Sequence, residues 1–268
     1  MDLGTVTKFR EATTRTDLHL HPGERFIAGG TWMYSEPQPG TSGLVDLTGM
    51  GWADVEISAR GDLSVAATCT IAALASAARD SDWAAAPLFE DCANALLASF
   101  KIWNAATVGG NICRAYAAAS MVALSVTLDA QAEIWHADGS DSSVPVTSLI
   151  AGNGVSTLRD GDVLRAINFP AHALAARTAS RKIALAEHGR SGALLAGRLD
   201  ADSSATFVIT AATSTPTVLR FSSVPSPDAL DAAVRAVTTY YTDALGSADW
   251  RRQVSAVLLA EVLEELTA

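Results

Sequence analysis

Cysteine, basic charge and long apolar runs are all scarce in this chain, and each scarcity excludes a class of protein. Three of the 268 residues are cysteine: Cys69, Cys92 and Cys113. They form no C-x-x-C pair, so neither a disulfide framework nor a cysteine-based zinc or iron–sulfur site is encoded. Lys and Arg total 19 against 29 Asp and Glu, a formal charge of −10. No basic surplus exists to neutralise nucleic-acid phosphates or to hold an anionic membrane surface. No segment reaches the roughly 18 consecutive apolar residues of a membrane-spanning helix. Residues 115–126 come nearest, but they are few and mostly small. The opening M-D-L-G-T-V-T-K-F-R-E-A lacks the basic-then-apolar order of a secretory signal, so a cytoplasmic protein with reduced thiols is expected. Known phosphate-binding signatures are missing as well. Gly49-Met50-Gly51 leads to Asp54 rather than to a third glycine, and no Gly-Lys pair occurs. No G-x-S-x-G elbow supports a serine hydrolase.

What the chain does have is apolar material. Hydrophobic residues make up 49% and charged residues 18%, enough for a sizeable core across one to two domains. Strands are predicted at residues 6–9, 25–28 and 44–47, with a short helix at 11–18. Alternation on both sides of Gly61-Asp62 predicts a hairpin, and Thr70 is a candidate N-cap for the helix that follows. Residues 87–100 have helical spacing, and a short helix is expected near 121–124. A strand at 132–136 and another at 163–169, stopped by Pro170, precede a change of texture. Four strands are then predicted at 180–186, 193–199, 206–212 and 217–221. Two closing helices follow at 227–240 and 249–266. The last is capped by Asp249 and carries Val254, Val257, Leu258, Val262 and Leu266 on one stripe. The class is α+β, with a boundary near residues 170–178.

Two glycine pairs carry the chemical signal. One is Ile27-Ala28-Gly29-Gly30-Thr31 after a strand; the other is Thr107-Val108-Gly109-Gly110-Asn111. A Gly-Gly turn permits φ > 0 and leaves backbone N–H groups uncovered, and consecutive N–H groups form an anion-binding nest. Two such loops face to face would clamp a pyrophosphate without a basic side chain. A single Gly-Gly after a strand is more often an ordinary turn, and spacing alone does not decide between these readings.

The strings A-G-G-T (28–31), L-V-D-L-T (44–48), G-D-L-S-V-A-A-T (61–68), N-A-A-T-V-G-G-N-I (104–112), V-L-R-A-I-N-F-P (163–170), S-R-K (180–182) and W-R-R-Q-V (250–254) cover essentially the whole chain. In this order they resemble the FAD-binding medium subunit of the molybdenum hydroxylases, the family of the xanthine dehydrogenase and carbon monoxide dehydrogenase flavoproteins. The resemblance implies a two-lobed FAD-binding domain of the vanillyl-alcohol-oxidase (PCMH) type over residues 1–171, with lobes at about 1–54 and 55–171. A small antiparallel sheet with a helical bundle would form the C-terminal domain, residues 172–268. By the same resemblance Ile27, Ala28, Gly29, Gly30, Thr31 and Trp32 hold FAD from the first loop. Ala106, Thr107, Gly109, Gly110 and Asn111 hold it from the second. Leu164 matches a residue that approaches the flavin ring. His188 falls where some relatives place a lysine near it.

The sequence departs from the family at three places. Ala117 and Ser120 stand where the family usually has a proline and an aspartate, the latter contacting the nucleotide. Ser120 offers one hydrogen bond without a carboxylate's charge-assisted strength. Trp32 replaces a small or polar residue. The resemblance further implies partner chains: a small subunit with two [2Fe–2S] clusters and a large subunit with the molybdopterin cofactor, assembled as a dimer of heterotrimers. Neither nucleic-acid binding nor membrane insertion is expected. Electrons would reach FAD from the clusters and leave to NAD, oxygen or another acceptor. The alternatives are a flavin-free assembly subunit, motivated by Ala117 and Ser120, and a stand-alone flavin oxidase.

Other residues read as structural. His19 and His21 lack a third ligand nearby and suit a surface loop ending at Pro22, so no metal site is expected. Lys101 reads equally as a solvated helix end or as a residue facing the cofactor or a partner. Glu264-Glu265 reads as a solvated helical face.

Overall fold

The computed structural model describes residues 3–187 and 189–268. The chain opens with β1 (Lys8–Glu11), β2 (Glu24–Ile27) and β3 (Gly43–Asp46), a small parallel sheet in the order β1-β3-β2. The helix expected at 11–18 is instead the end of β1 and a 3-10 turn, Arg15–Leu18. Asp17 decides this: its carboxylate accepts from the amides of Thr13 (3.0 Å) and Thr14 (2.8 Å), which closes a tight turn.

The second sheet begins with β4 (Val55–Ile57) and β5 (Leu63–Ala66), the expected hairpin across Gly61. Five helices follow: α1 (Ile71–Arg79), α2 (Ala86–Ala95), α3 (Phe100–Trp103), α4 (Val108–Cys113) and α5 (Ser120–Thr127). Thr70 caps α1 by accepting from the Ala73 amide, as its position predicts. The long helix expected at 87–100 stops at Ala95, because Leu96 turns extended (ψ 124°) before the chain re-enters helix at α3. Next come β6 (Gln131–Trp135), β7 (Asp141–Pro145), the short pair β8 (Ile150–Gly152) and β9 (Val155–Ser156), and β10 (Val163–Phe169). The antiparallel sheet runs β4-β5-β10-β6-β7. The longest strand of the sheet, β10, lies at its centre and is largely buried, with a bulge at Arg165.

A short α6 (Ala171–Leu174) leads into the meander β11 (Arg177–Ala184), β12 (Ser191–Leu199), β13 (Ala205–Thr210) and β14 (Thr217–Phe221). Two helices close the chain, α7 (Pro227–Ala236) and α8 (Ala248–Thr267). Side chains alternate across a strand, and both faces of this sheet are covered. Leu194, Ala196 and Val208 join the large core beneath α2 and α5. Ala193, Leu195, Phe207 and Ile209 face α7 and α8. Gly197 permits this close packing: a Cβ there would lie 2.5 Å from Val262. The cap of α8 is Ser247, which accepts from the Trp250 amide, rather than Asp249 one turn inside. The buried stripe of α8 is Ser255, Leu259, Val262, Leu263 and Leu266, whereas Val257 is exposed. The helix expected to reach residue 240 ends at Ala236, and the Tyr240 hydroxyl folds back to donate to the Val234 carbonyl at 3.3 Å. Among the described residues, no helix is long and apolar enough to cross a membrane.

Candidate cofactor cleft

The first glycine loop leaves β2 at the buried Ile27 and turns through Gly30, whose φ is +67°. Glycine adopts that value without the strain of a side chain, and a Cβ here would also lie 2.7 Å from the Tyr34 ring. Gly29 has no such φ; its lack of a side chain serves a close approach. A Cβ on Gly29 would fall 1.7 Å from the Ala105 carbonyl oxygen and 3.3 Å from the Ala106 Cα. The two glycine motifs, distant in sequence, therefore meet. The backbone amides of residues 29–33, five in a row and outside any helix or strand, donate to no partner among the described residues. Only carbonyls of this loop are engaged: Gly30 accepts from Tyr34 at 2.9 Å, and Trp32 accepts from Ser35 and Glu36. Ala28 and Thr31 are half-buried in the same turn.

The second motif corrects an expectation. Gly109 and Gly110 do not form an uncovered turn; they lie in the first turn of α4, without positive φ. Thr107 is the N-cap and accepts from the Gly110 amide at 3.1 Å. The Val108 amide donates to Cys69, the Gly109 amide to Ala67 and the Asn111 amide to Thr107. Every N–H of the T-V-G-G-N segment from Val108 to Asn111 is thus already used. Gly109 is required by contact, since a Cβ there would lie 2.4 Å from that of Ala67. Of the two motifs, only the first loop has amides unpartnered among the described residues, and the second motif is the wall against which that loop sits.

The remaining predicted residues separate by position. Ala106 is buried beside the first loop, and its carbonyl accepts from the Ile71 amide. Asn111 uses its side-chain oxygen to accept from the Met121 amide at 3.0 Å, which ties α4 to α5. Ser120 is sealed from solvent, and its hydroxyl has no hydrogen-bond partner among the described residues. Leu164 is buried in the main core; its neighbour Val163 lines the cleft instead. His188 lies outside the described residues. The sequence reading missed Arg114 and Tyr116. The Arg114 guanidinium sits 3.5 Å from the centroid of the Trp32 ring and 5.0 Å from that of Tyr116. The Tyr116 hydroxyl accepts from Trp32 Nε1 and from Arg114 Nη2, both at 3.1 Å. Trp32 and Arg114 are far apart in the chain, so no local pattern could have paired them.

Trp32 and Arg114 border a cleft of about 1280 Å³, lined also by Met33, Gly110, Cys113 and residues nearer the N-terminus such as Arg25. Its volume exceeds the roughly 300–1,000 Å³ of a drug-sized ligand site. His19 and His21 also line it, with their rings 5.7 Å apart. Burial pushes the Cys113 thiol up to about 12 against the opposing pull of Arg114. No group of three metal-ligating side chains occurs among the described residues.

A loop of unpartnered amides, a glycine contact that holds it in place, and an arginine whose Nε is buried without an acceptor all fit an anionic cofactor. They define a nucleotide-cofactor-binding domain of α+β class. More particularly, the chain belongs to the family described as the FAD binding domain in molybdopterin dehydrogenase, which matches residues 4–172. Among solved structures, a chain of carbon monoxide dehydrogenase from Oligotropha carboxidovorans superposes with a TM-score of 0.85 at 23% identity, covering 98% of both chains. Quinoline 2-oxidoreductase from Pseudomonas putida 86 gives 0.82 at 21% identity, covering 99% of this chain and 98% of that one. Carbon monoxide dehydrogenase from Hydrogenophaga pseudoflava gives 0.81 at 18% identity over 97% and 96%. These likenesses extend the shared fold through the C-terminal sheet and helices. No curated protein sequence matches the chain.

Proposed function

We propose that this chain is the FAD-carrying electron-transfer subunit of a molybdenum hydroxylase. In this reading it receives electrons from [2Fe–2S] clusters on a small partner subunit and passes them to NAD, oxygen or another acceptor. A large partner carries the molybdopterin cofactor, and the assembly is a cytoplasmic dimer of heterotrimers. Residues 1–171 form the FAD-binding part, and residues 172–268 its C-terminal companion domain. The observation that carries the reading is the row of five amides at residues 29–33, unpartnered among the described residues and held against Ala105 at Gly29, whose last two residues, Trp32 and Met33, line the cleft.

When bound, FAD supplies the redox chemistry. The protein's part is to hold and orient it. Gly29, Gly30, Thr31 and Trp32 present main-chain donors to the diphosphate. Ile27 and Ala28 anchor that loop to the sheet. Ala106, Thr107, Gly109, Gly110 and Asn111 form the rigid wall behind it. No basic residue occurs in either glycine motif, so charge compensation from the motifs comes from N–H dipoles.

The test is direct. The full chain, purified and denatured, should release a nucleotide that chromatographs as FAD, and the native protein should show a flavin absorbance spectrum. Colourless protein that neither releases nor takes up FAD would overturn the reading. One observation favours a second reading, a flavin-free assembly subunit: Ser120, where the family usually has a nucleotide-contacting aspartate, is sealed from solvent and does not line the cleft. In that case the colourless chain would still copurify with its two partners.

A further inference from the structure

We propose that the Arg114 guanidinium, held between Trp32 and Tyr116, is the side-chain cation that binds the diphosphate bridge of the flavin dinucleotide; this rests on the reading of the cleft as the FAD site. Arg114 is the C-cap residue of α4, and it lines the cleft beside Trp32 and Gly110. Its Nη2 is fixed by the Tyr116 hydroxyl, and its Nε is buried with no acceptor, a state that loses hydration without replacement. It makes no ion pair among the described residues, in a chain where most cleft charges are already matched. Arg15 is paired with Asp141, and Arg159 with Asp162. A guanidinium stacked on aromatic rings uses its faces for the stack and keeps its edge donors for an anion, and that edge matches phosphate oxygens.

The arrangement also explains three residues together. Trp32 and Tyr116 are unusual beside a main-chain phosphate loop, yet they are the two rings that hold Arg114. One oxygen, the Tyr116 hydroxyl, accepts from both Trp32 and Arg114 and so ties the guanidinium to the first loop's tryptophan. The sealed, unpartnered Ser120 offers no charge. Arg114 puts a charged contact at the phosphates, where the first loop has only neutral N–H groups. Tyr116 acts here as a positioning residue.

The experiment titrates the full chain, freed of flavin, with FAD and with riboflavin, following flavin fluorescence. Arg114→Gln should weaken FAD binding about tenfold to a hundredfold, as expected for loss of a charge-assisted bond, and leave riboflavin binding unchanged. Arg114→Lys should recover part of the loss. Added salt should weaken FAD binding to the parent chain more than to Arg114→Gln. Equal FAD affinity in the parent and in Arg114→Gln would overturn the inference while leaving the FAD reading intact. Parallel loss of FAD and riboflavin with an unchanged melting temperature would also overturn it, since Arg114 would then only shape the pocket. A parent chain that binds no FAD would remove the reading and the inference together. Should Arg114→Gln fail to fold, Tyr116→Phe serves instead. It should weaken FAD about threefold to tenfold with riboflavin unchanged, and unchanged FAD affinity would overturn the proposal.

Discussion

Gly29 faces Ala105 so closely that a β-carbon on the glycine would stand 1.7 Å from the alanine's carbonyl oxygen. Backbone cannot yield as a flexible side chain does. Gly29→Ala should therefore push the first loop off the second motif and destabilise the protein by about 2–3 kcal/mol, as overpacking does. FAD uptake should be lost with it. Thermal melting and flavin titration of the same preparation check both outcomes, and an unshifted melt would show that the loops do not meet in solution.

Thr107 holds the start of α4 through its hydroxyl. Thr107→Ala should cost about 1 kcal/mol, the usual loss of an N-cap, because the Gly110 amide is left without its acceptor. Thr107→Ser keeps the oxygen and should melt near the parent. Denaturant unfolding of the three proteins separates the cap from mere side-chain volume.

Glu24 is a source of acid sensitivity in the small parallel sheet. Its hydrogen bond with Arg10, helped by the His21 amide, lowers its pKa from the ordinary 4.5 to about 2. A carboxylate depressed in the folded state contributes stability above its unfolded pKa and loses it as pH falls through the folded one. The contribution is present above about pH 4.5 and disappears toward pH 2. Glu24→Gln should cost about 1–2 kcal/mol at neutral pH, discounted for screening at the partly exposed Arg10. The variant should also flatten the melting temperature between pH 4.5 and 2. A parallel pH profile in parent and variant would refute this assignment.

Two of the three thiols, Cys69 and Cys92, should be inert in the folded protein. Burial pushes Cys69 up to about 12 and raises Cys92 further, and both are almost fully enclosed. The thiolate is the reactive form, so a thiol reagent should titrate Cys69 and Cys92 only after denaturant is added. Rapid native labelling at either position, read by peptide mass, would contradict the packing.

Much of this architecture was legible in local pattern. The run from Val163 to Phe169 ends at Pro170 and is a strand with those bounds. Thr70 caps the helix it precedes, and Gly61 turns the hairpin it was expected to turn. Some failures were local, as where Asp17 closes a tight turn in place of a helix, and others come from contact between distant residues. Gly109 looked like a turn glycine, yet it is helical and small because Ala67 lies against it. Thr107 followed three residues later by Gly110 was in fact a capping spacing, and it would have placed the helix correctly. Val257 fitted a stripe by period but faces outward, because the meander fixes the rotation of α8. Arg114 carried no signal at all, since its meaning comes from Trp32, a tryptophan distant in the chain.

The meander's two-sided burial has a mechanical consequence. Leu194 and Val208 point into the hydrophobic interior of the N-terminal part while their strand neighbours Leu195 and Phe207 point the other way. These strands act as a party wall between two rooms, and neither room stands without it. A polypeptide ending at residue 171 would leave a greasy flank uncovered and should aggregate, and the intact chain should melt in one cooperative step.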